Sequence, residues 1–333
     1  MKSLLCTSLS ALALLSGVAL AEDSHSGSFA DYLEGLRKEA LERHDIRPET
    51  ISAVFPKVKE FRLAKSQNGD DEATPESAGN LDKYLPSVLT DTLVDEAKFQ
   101  YQGHSETLTR IGDAYGVQPR FIVALWGLES RYGRESGAYP VLSVTASKAY
   151  RGVREAFYRE QFFAALNILD SSSWQLEQLL ATPDGRMGQP KLLPAGFLAY
   201  AKDGDDDGKA DIWTNPADVF ASIASFMKES GWRADETWGR QVKIPADFDV
   251  TLASSGVKKG FADWQALGVR RFDGTDLPAR SDMLVTMVMP DGPKGRVYLV
   301  YDNYLAIKRW RDSDYFALAL VHLSDRIKFQ LGE

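Results

Sequence analysis

Apolar residues recur every three to four positions along most of the chain, the spacing that places them on one face of an α-helix. The pattern predicts helices at about 29–43, 48–55, several within 81–115, then 119–133, 153–169, 174–180, a short one ending near 200, 217–229 and 315–329. Beyond residue 243 the pattern changes, and apolar runs predict short strands within 244–252, 284–289 and 297–300. The sequence therefore predicts a mainly helical α+β protein with a small sheet towards its C-terminal side.

One predicted helix carries a carboxylate on its apolar face. The residues seven, four and three positions before Glu129 are all apolar: Ile122, Leu125 and Trp126. Glu129 is therefore expected to be buried, where loss of solvation and the nearby helix C-terminus disfavour its charged form, while Arg131 and Arg134 act in the opposite direction. A carboxyl group kept protonated in an apolar site is how glycosidases build a general acid. The alternative is a structural glutamate paired with an arginine.

A second motif is an acidic loop that begins at residue 203 with the sequence DGDDDGK. It matches the first half of an EF-hand calcium loop, in which alternate carboxylates and one backbone carbonyl converge on the ion. The ligands predicted on this basis are Asp203, Asp205, Asp207 and the Lys209 carbonyl. The twelfth position, usually a bidentate glutamate, is Thr214, so Asp218 on the next helix is the expected replacement. The sequence favours calcium over the alternative, a solvated acidic turn.

The N-terminus has the pattern of a secretory signal peptide. Met1 and Lys2 precede an apolar stretch at 4–18 and the small residues of 19–21, which predicts a signal peptide at 1–21. The apolar stretch is too short to span a membrane. The single cysteine, Cys6, lies inside this segment, so the processed protein is expected to contain no disulfide. Export without disulfides is typical of a bacterial periplasm. The polar, acidic segment 66–80 predicts a mobile surface loop.

Composition and charge narrow the function classes. The 333 residues are 44% hydrophobic and 26% charged, as in ordinary soluble globular proteins. The net charge is −8, and it becomes −9 when Lys2 is removed with the predicted signal. This acidic balance without a basic cluster argues against nucleic acid as a partner and leaves glycans open. The four histidines are scattered without metal-ligand spacing, and no phosphate-binding loop or serine-nucleophile motif is present.

The longer motifs resemble the lytic murein transglycosylase B family, from about residue 29 to residue 327 and most strongly over 115–238. The matching segments are YGVQPRFIVALWGLESRYG (115–133), REAFYREQFFAAL (154–166), RMGQP (186–190), YAKDGDDDGKADIW (200–213), NPADVFASIASF (215–226), GWRADETWGR (231–240), LVYDNYLAIKRW (299–310) and YFALAL (315–320). The resemblance implies a lysozyme-like core and a periplasmic enzyme that acts on peptidoglycan.

For the reaction, the resemblance implies cleavage of the β-1,4 bond between N-acetylmuramic acid and N-acetylglucosamine by one glutamate, with a 1,6-anhydro product. By this resemblance, Glu129 is expected to be the catalytic residue. The expected partners of the protein are peptidoglycan strands. The residues expected at the substrate are Trp126, Arg154, Phe157, Met187, Lys191, Phe226, Trp310 and Arg311. The implied organisation is a signal peptide at 1–21, an N-terminal helical lobe at 22–114, a lysozyme-like catalytic core with the calcium loop at 115–240, and a β segment with a C-terminal helix at 241–333.

The chain departs from the family pattern beside the expected cleft. Lys191 replaces a usual glutamine, Phe226 a common tyrosine and Arg311 the usual asparagine, while residues 193–196 read LPAG instead of MPSS. Lys191 or Arg311 near Glu129 would favour its ionised form and weaken it as an acid. These departures motivate an alternative function, a catalytically weak relative that binds peptidoglycan or acts as a scaffold. A calcium sensor is disfavoured because a single incomplete loop lacks the paired hands that sensors use.

Overall fold

The computed structural model describes residues 27–63, 79–253 and 256–331, so the predicted signal peptide and most of segment 66–80 lie outside the described residues. The helices are α1 Phe29–Arg43, α2 Pro48–Val54, α3 Leu81–Val88, α4 Asp91–Gly103, α5 Ser105–Tyr115, α6 Pro119–Ser130, α7 Val141–Tyr150, α8 Glu155–Ser171, α9 Pro194–Tyr200, α10 Pro216–Glu229, α11 Phe261–Ala266, α12 Asp302–Trp310 and α13 Asp314–Leu331. The strands are β1 Tyr139–Pro140, β2 Leu180–Ala181, β3 Gly239–Lys243, β4 Lys258–Gly260, β5 Arg270–Arg271, β6 Leu284–Val288 and β7 Val297–Val300.

Most predicted elements are present, and two are different. The helix predicted at 174–180 is wrong, because Leu176–Gln178 forms one 3₁₀ turn and β2 then pairs with β1 as a two-stranded antiparallel ladder. The strand predicted within 244–252 is also wrong, because β3 ends at Lys243 and Val250–Leu252 forms a 3₁₀ turn, in which the Asp249 side chain accepts a hydrogen bond from the Thr251 N–H. In both segments the apolar run is short, so pairing and capping decide the backbone conformation.

The small sheet lies towards the C-terminal side, as predicted. Its five antiparallel strands follow the order β4-β6-β7-β3-β5, with Thr286 opposite Val300 and Gln241 opposite Tyr298. The buried faces of β3, β6 and β7 pack with α11 around the fully buried Trp264, whose indole N–H donates to the Val285 carbonyl. This sheet directly precedes α12 and so sets where that helix begins.

Two helical cores make up the rest of the described chain. The first joins α3–α6 with α10, α12 and α13, and the second joins α1 and α2 with α7–α9. The helices of segment 22–114 are thus divided between the two cores, with α1 and α2 in one and α3–α5 in the other. Trp310, at the end of α12, packs against both cores and therefore lies where they meet.

His322 on α13 lies inside the first core rather than in a metal or catalytic cluster. Its Nε2 is 3.2 Å from the Tyr298 hydroxyl, and its ring packs edge-on against Trp238. Loss of solvation, reinforced by Arg296 and Arg326 and opposed by Asp325, lowers the pKa of His322 to about 4. The lack of metal-ligand spacing around the histidines in the sequence agrees with this buried, structural environment of His322.

This environment predicts an acid-sensitive contribution to stability. A depressed folded-state pKa means that the unfolded chain takes up the proton first, so the contribution is present above pH 6.5 and is lost as the pH falls towards 4. We expect His322→Gln to remove about 3 kcal/mol of the pH dependence of the unfolding free energy over this range. Urea unfolding between pH 4 and 7 measures the unfolding free energy of wild-type protein and His322→Gln. The same pH dependence in both proteins would contradict the lowered pKa of His322.

Candidate active site

Helix α6 positions Glu129 at the junction of the two cores. Pro119 occupies its first turn, where the missing N–H has no intrahelical partner, and nearly every side chain of the helix is buried. The helix ends at Ser130 rather than at Gly133 as predicted, because Arg131 and Tyr132 both adopt positive φ. This early ending turns the chain away directly after Glu129 and leaves its carboxyl group at the end of the helix.

Glu129 is buried, as the helical pattern predicts, with 3% of its surface exposed. Its Oε1 accepts a hydrogen bond from the Trp310 indole N–H at 3.0 Å. The Arg311 Nη2 lies 3.2 Å from Oε1 and 3.3 Å from Oε2. The polar partners described for Glu129 are therefore one neutral donor and one cation, both supplied by the end of α12 about 180 residues away in sequence.

An aromatic wall, formed by Trp310, Phe226 and Tyr200, continues from Glu129. Phe226 lies edge-on to Trp310, with ring centroids 4.7 Å apart, and Tyr200 lies edge-on to Phe226 at 4.9 Å. All three rings are partly exposed. Partly exposed rings present apolar surface on which the C–H faces of sugars can stack. Tyr200 was not among the predicted site residues, although its place at the end of α9, beside the acidic loop, is a usable signal.

Trp126 lies deeper than a substrate-binding role requires. It is almost fully buried, and its indole N–H donates to the Gln189 side-chain oxygen at 2.7 Å. The Gln189 amide nitrogen donates in turn to the Trp213 carbonyl at 2.8 Å. Gln189 lies in the RMGQP segment, so it fastens this turn to α6 below Glu129. The sequence analysis missed Gln189, and only its place in the quoted motif marked it.

We expect Gln189→Ala to lower the free energy of unfolding by about 1–3 kcal/mol, because it leaves the buried Trp126 donor without a partner. Activity at low temperature is expected to fall as well, since the turn would no longer be fixed against α6. Gln102→Ala, at an exposed position on α4, is the matched control and should leave both properties unchanged. Thermal unfolding of the two variants measures the difference, and equal melting temperatures would contradict this role.

The remaining predicted substrate residues lie in two places. The Arg154 guanidinium stacks over the Phe157 ring at 4.0 Å at the start of α8. Met187 is fully buried and pairs with Leu192 through backbone hydrogen bonds of 2.7 and 3.0 Å. Lys191 closes this turn with positive φ. Of the two cations predicted near the glutamate, the described contacts of Glu129 include Arg311 and not Lys191. Residues 187–190 and Leu192 are buried, so Lys191 is the residue of this turn that reaches solvent.

The acidic loop brings three carboxylates together. Ligand oxygens of Asp203, Asp205 and Asp218 all lie within 4.8 Å of one another. The buried Asp218 side chain also accepts hydrogen bonds of 2.6 Å from the backbone N–H groups of Gly204 and Asp211. Burial raises the pKa of Asp218 to about 6, the two N–H groups oppose the shift, and the two neighbouring carboxylates add to it. Converging anions in a pre-formed turn fit a hard cation that prefers oxygen ligands.

The structure does not bring the fourth predicted carboxylate into this group. The Asp207 side chain accepts a hydrogen bond from the Lys209 N–H at 2.8 Å instead. The Lys209 ammonium lies over the Trp174 ring at 3.5 Å, which ties the loop to the second helical core. The replacement of the missing twelfth-position ligand by Asp218 agrees with the geometry, since Asp218 joins the cluster from α10.

Residues 28–325 match the family model described as the transglycosylase SLT domain, and the chain belongs to this family. It is similar to the membrane-bound lytic murein transglycosylase B of Escherichia coli strain K12, with 24% identity over 320 residues that cover 93% of this chain and 84% of the relative. The predicted family is therefore confirmed.

Two solved structures extend the comparison. SltB3 from Pseudomonas aeruginosa in complex with NAG-anhNAM-pentapeptide is 33% identical, with a TM-score of 0.80 over 90% of this chain and 80% of that one. The lytic transglycosylase Slt35 of Escherichia coli in complex with calcium has the same fold at 20% identity, with a TM-score of 0.75 over 92% of this chain and 96% of that one. The predicted fold class, a helical lysozyme-like core with a small sheet, is confirmed.

Within the described residues, no helix combines the length and apolar character needed to cross a bilayer.

Proposed function

We propose that this protein is a peptidoglycan lytic transglycosylase in which Glu129 acts alone as acid and then base. The observation that carries the proposal is a single buried carboxyl group at the head of an aromatic wall, held by a neutral indole donor. A glycosidase that uses water or a protein nucleophile needs a second carboxylate near the first. The matching segment around Glu129, residues 115–133, contains no other acidic residue, and the described hydrogen-bonding partners of Glu129 are Trp310 and Arg311.

In the proposed reaction, Glu129 first donates a proton and then accepts one. Protonated Glu129 donates to the glycosidic oxygen between the muramic residue and the next glucosamine, and the C1–O bond breaks. The resulting carboxylate then accepts the proton of the C6 hydroxyl on the same muramic ring, and O6 bonds to C1 to close the 1,6-anhydro ring. Attack within one sugar gains from proximity, because no second molecule has to be positioned. The Trp310 N–H holds Oε1 and so orients the carboxyl group through both steps.

Substrate contacts are proposed along the aromatic wall and the Met187 turn. Trp310 and Phe226 offer ring surface beside Glu129, and Tyr200 extends that surface. The turn at Lys191 is fastened to the same helix by Gln189. Arg154 and Phe157 form a pair at the start of α8 and are proposed to contact a more distant part of the strand. Trp126 supports the site from below rather than touching the glycan.

We further propose that the acidic loop holds a structural calcium ion through Asp203, Asp205 and Asp218, with the Lys209 carbonyl as a further ligand. The support is the convergence of the three carboxylates and the calcium in Slt35, which shares the fold. When bound, the ion would neutralise the mutual repulsion of these carboxylates. We also propose that the predicted signal peptide directs export to the periplasm, which contains the substrate.

The competing function, a peptidoglycan-binding relative with little turnover, is favoured by one observation, the ion pair between Arg311 and Glu129. Purified murein sacculi separate the two functions when soluble products and retained protein are measured together. A transglycosylase releases soluble muropeptides over time, and the protein returns to solution as its substrate disappears. Lasting retention on sacculi without release of muropeptides would contradict the proposed enzyme and support the binding protein.

A further inference from the structure

Arg311 holds Glu129 with only one of its nitrogens. Nη2 contacts both carboxylate oxygens at 3.2 and 3.3 Å, whereas the Nε and Nη1 groups have no hydrogen-bond partner among the described residues. A guanidinium carries five N–H donors in a planar fork that matches a carboxylate in two-pronged fashion. The contact with Glu129 uses this fork incompletely, so one edge of the guanidinium remains available to another anion.

Exposure and packing make this edge accessible and oriented. The Arg311 side chain is 40% exposed, whereas the Glu129 side chain is 1% exposed. The Arg311 guanidinium also lies over the Phe316 ring at 4.5 Å, and this contact fixes its plane. An anion that arrives from solvent therefore reaches Arg311 before it can approach Glu129.

The ion pair conflicts with the first step of the proposed reaction. Glu129 must direct a carboxyl oxygen at the glycosidic bond, but both of its oxygens contact the Arg311 Nη2 group. A second anion bound to Arg311 would compete for this contact and free the Glu129 carboxyl group. The substrate class supplies such anions, because each muramic residue carries a lactyl carboxyl group that is either free or joined to a stem peptide, and the stem has carboxylates of its own.

We infer that Arg311 binds a carboxylate of the glycan strand and exchanges its pairing with Glu129 for pairing with the substrate. The inference rests on the proposed function and adds a preference for anionic strands. Binding of the carboxylate frees the Glu129 carboxyl group to face the glycosidic oxygen when substrate is in place. Arg311 is then both a substrate-binding residue and a group that positions Glu129.

The test compares strands with free carboxylates and the same strands after conversion of those carboxylates to carboxamides. We expect wild-type protein to favour the free acid by roughly tenfold in kcat/KM, the size of one charge-assisted hydrogen bond. Arg311→Gln should bring the ratio close to one, and Arg311→Lys should recover part of the preference. Arg309→Gln is the matched control, since Arg309 lies on the same helix and donates to the Ser230 carbonyl instead of Glu129.

Two substrate sets identify which carboxylate is bound. Strands stripped of stem peptides test the lactyl carboxylate, and strands that keep their stems test the peptide carboxylates. A wild-type ratio near one in both sets, a ratio retained in Arg311→Gln, or an equal loss in Arg309→Gln would overturn the inference. Anhydro products with an unchanged ratio overturn this inference alone, whereas the absence of anhydro products from every substrate overturns the proposed function as well.

Discussion

Glu129→Gln is expected to lower the release of 1,6-anhydro muropeptides by about 10²–10⁴-fold, the usual contribution of a general acid or base. Glutamine matches the shape of the carboxyl group and can still accept the Trp310 N–H, but it can neither donate a proton to the leaving oxygen nor accept one from the C6 hydroxyl. The variant should remain folded, because Arg311 is partly exposed and can be solvated when its charged partner is lost. Initial rates on murein sacculi, together with thermal unfolding, measure both properties.

The matched control for this prediction is Glu135→Gln. Glu135 follows the end of α6, is exposed, and undergoes the same loss of charge. It is expected to retain wild-type activity. Wild-type rates in Glu129→Gln, or an equal loss in Glu135→Gln, would remove Glu129 from the reaction. If Glu129→Gln fails to fold, the result would instead support a structural role for Glu129, as a buried glutamate paired with an arginine.

Calcium is expected to raise the melting temperature by several degrees. An ion that binds only the folded loop adds about 2.7 kcal/mol at a hundredfold excess over its dissociation constant. Because the carboxylates of Asp203, Asp205 and Asp218 repel one another when no cation is bound, chelation should loosen the loop. Activity at low temperature should fall only mildly, since the loop lies beside the site and supplies no group that contacts Glu129 in the described structure.

Two variants with the same charge separate a metal site from an acidic turn. Asp205→Asn removes a carboxylate of the cluster, whereas Asp206→Asn removes one outside it and keeps a residue that tolerates the positive φ of that position. We expect the calcium-induced rise to shrink strongly in Asp205→Asn and to persist in Asp206→Asn. Melting curves that are the same with calcium and with chelator for wild-type protein would mean that the loop holds no calcium ion.

How well the sequence predicts a helix depends on how many of its faces are buried. Helix α6 was predicted because its apolar face and its proline are local signals, and the burial of Glu129 follows from the same spacing. Helix α7 was missed because its ten residues are buried on almost every side, so no polar face marks the helical period. The short β2 strand was misassigned as helix because its identity depends on pairing with β1, a long-range contact.

The site shows the same division between local and long-range information. The acidic residues at alternate loop positions are a local pattern, and Asp203 and Asp205 are found together. The contact of Trp310 and Arg311 with Glu129 joins positions far apart in sequence, and only the family resemblance placed them near one another. Asp207 illustrates the limit, since its backbone turn directs it to the Lys209 N–H.

The central claim is that the C6 hydroxyl of the substrate, and not water, completes the reaction at Glu129. Digestion of murein sacculi in ¹⁸O-enriched water with mass analysis of the products tests it most directly. The predicted products are muropeptides that are lighter by one water than reducing-end muropeptides and contain no ¹⁸O at C1. Reducing ends that carry ¹⁸O would show that water attacks C1, and would contradict the assignment of Glu129 as the single acid and base of a lytic transglycosylase.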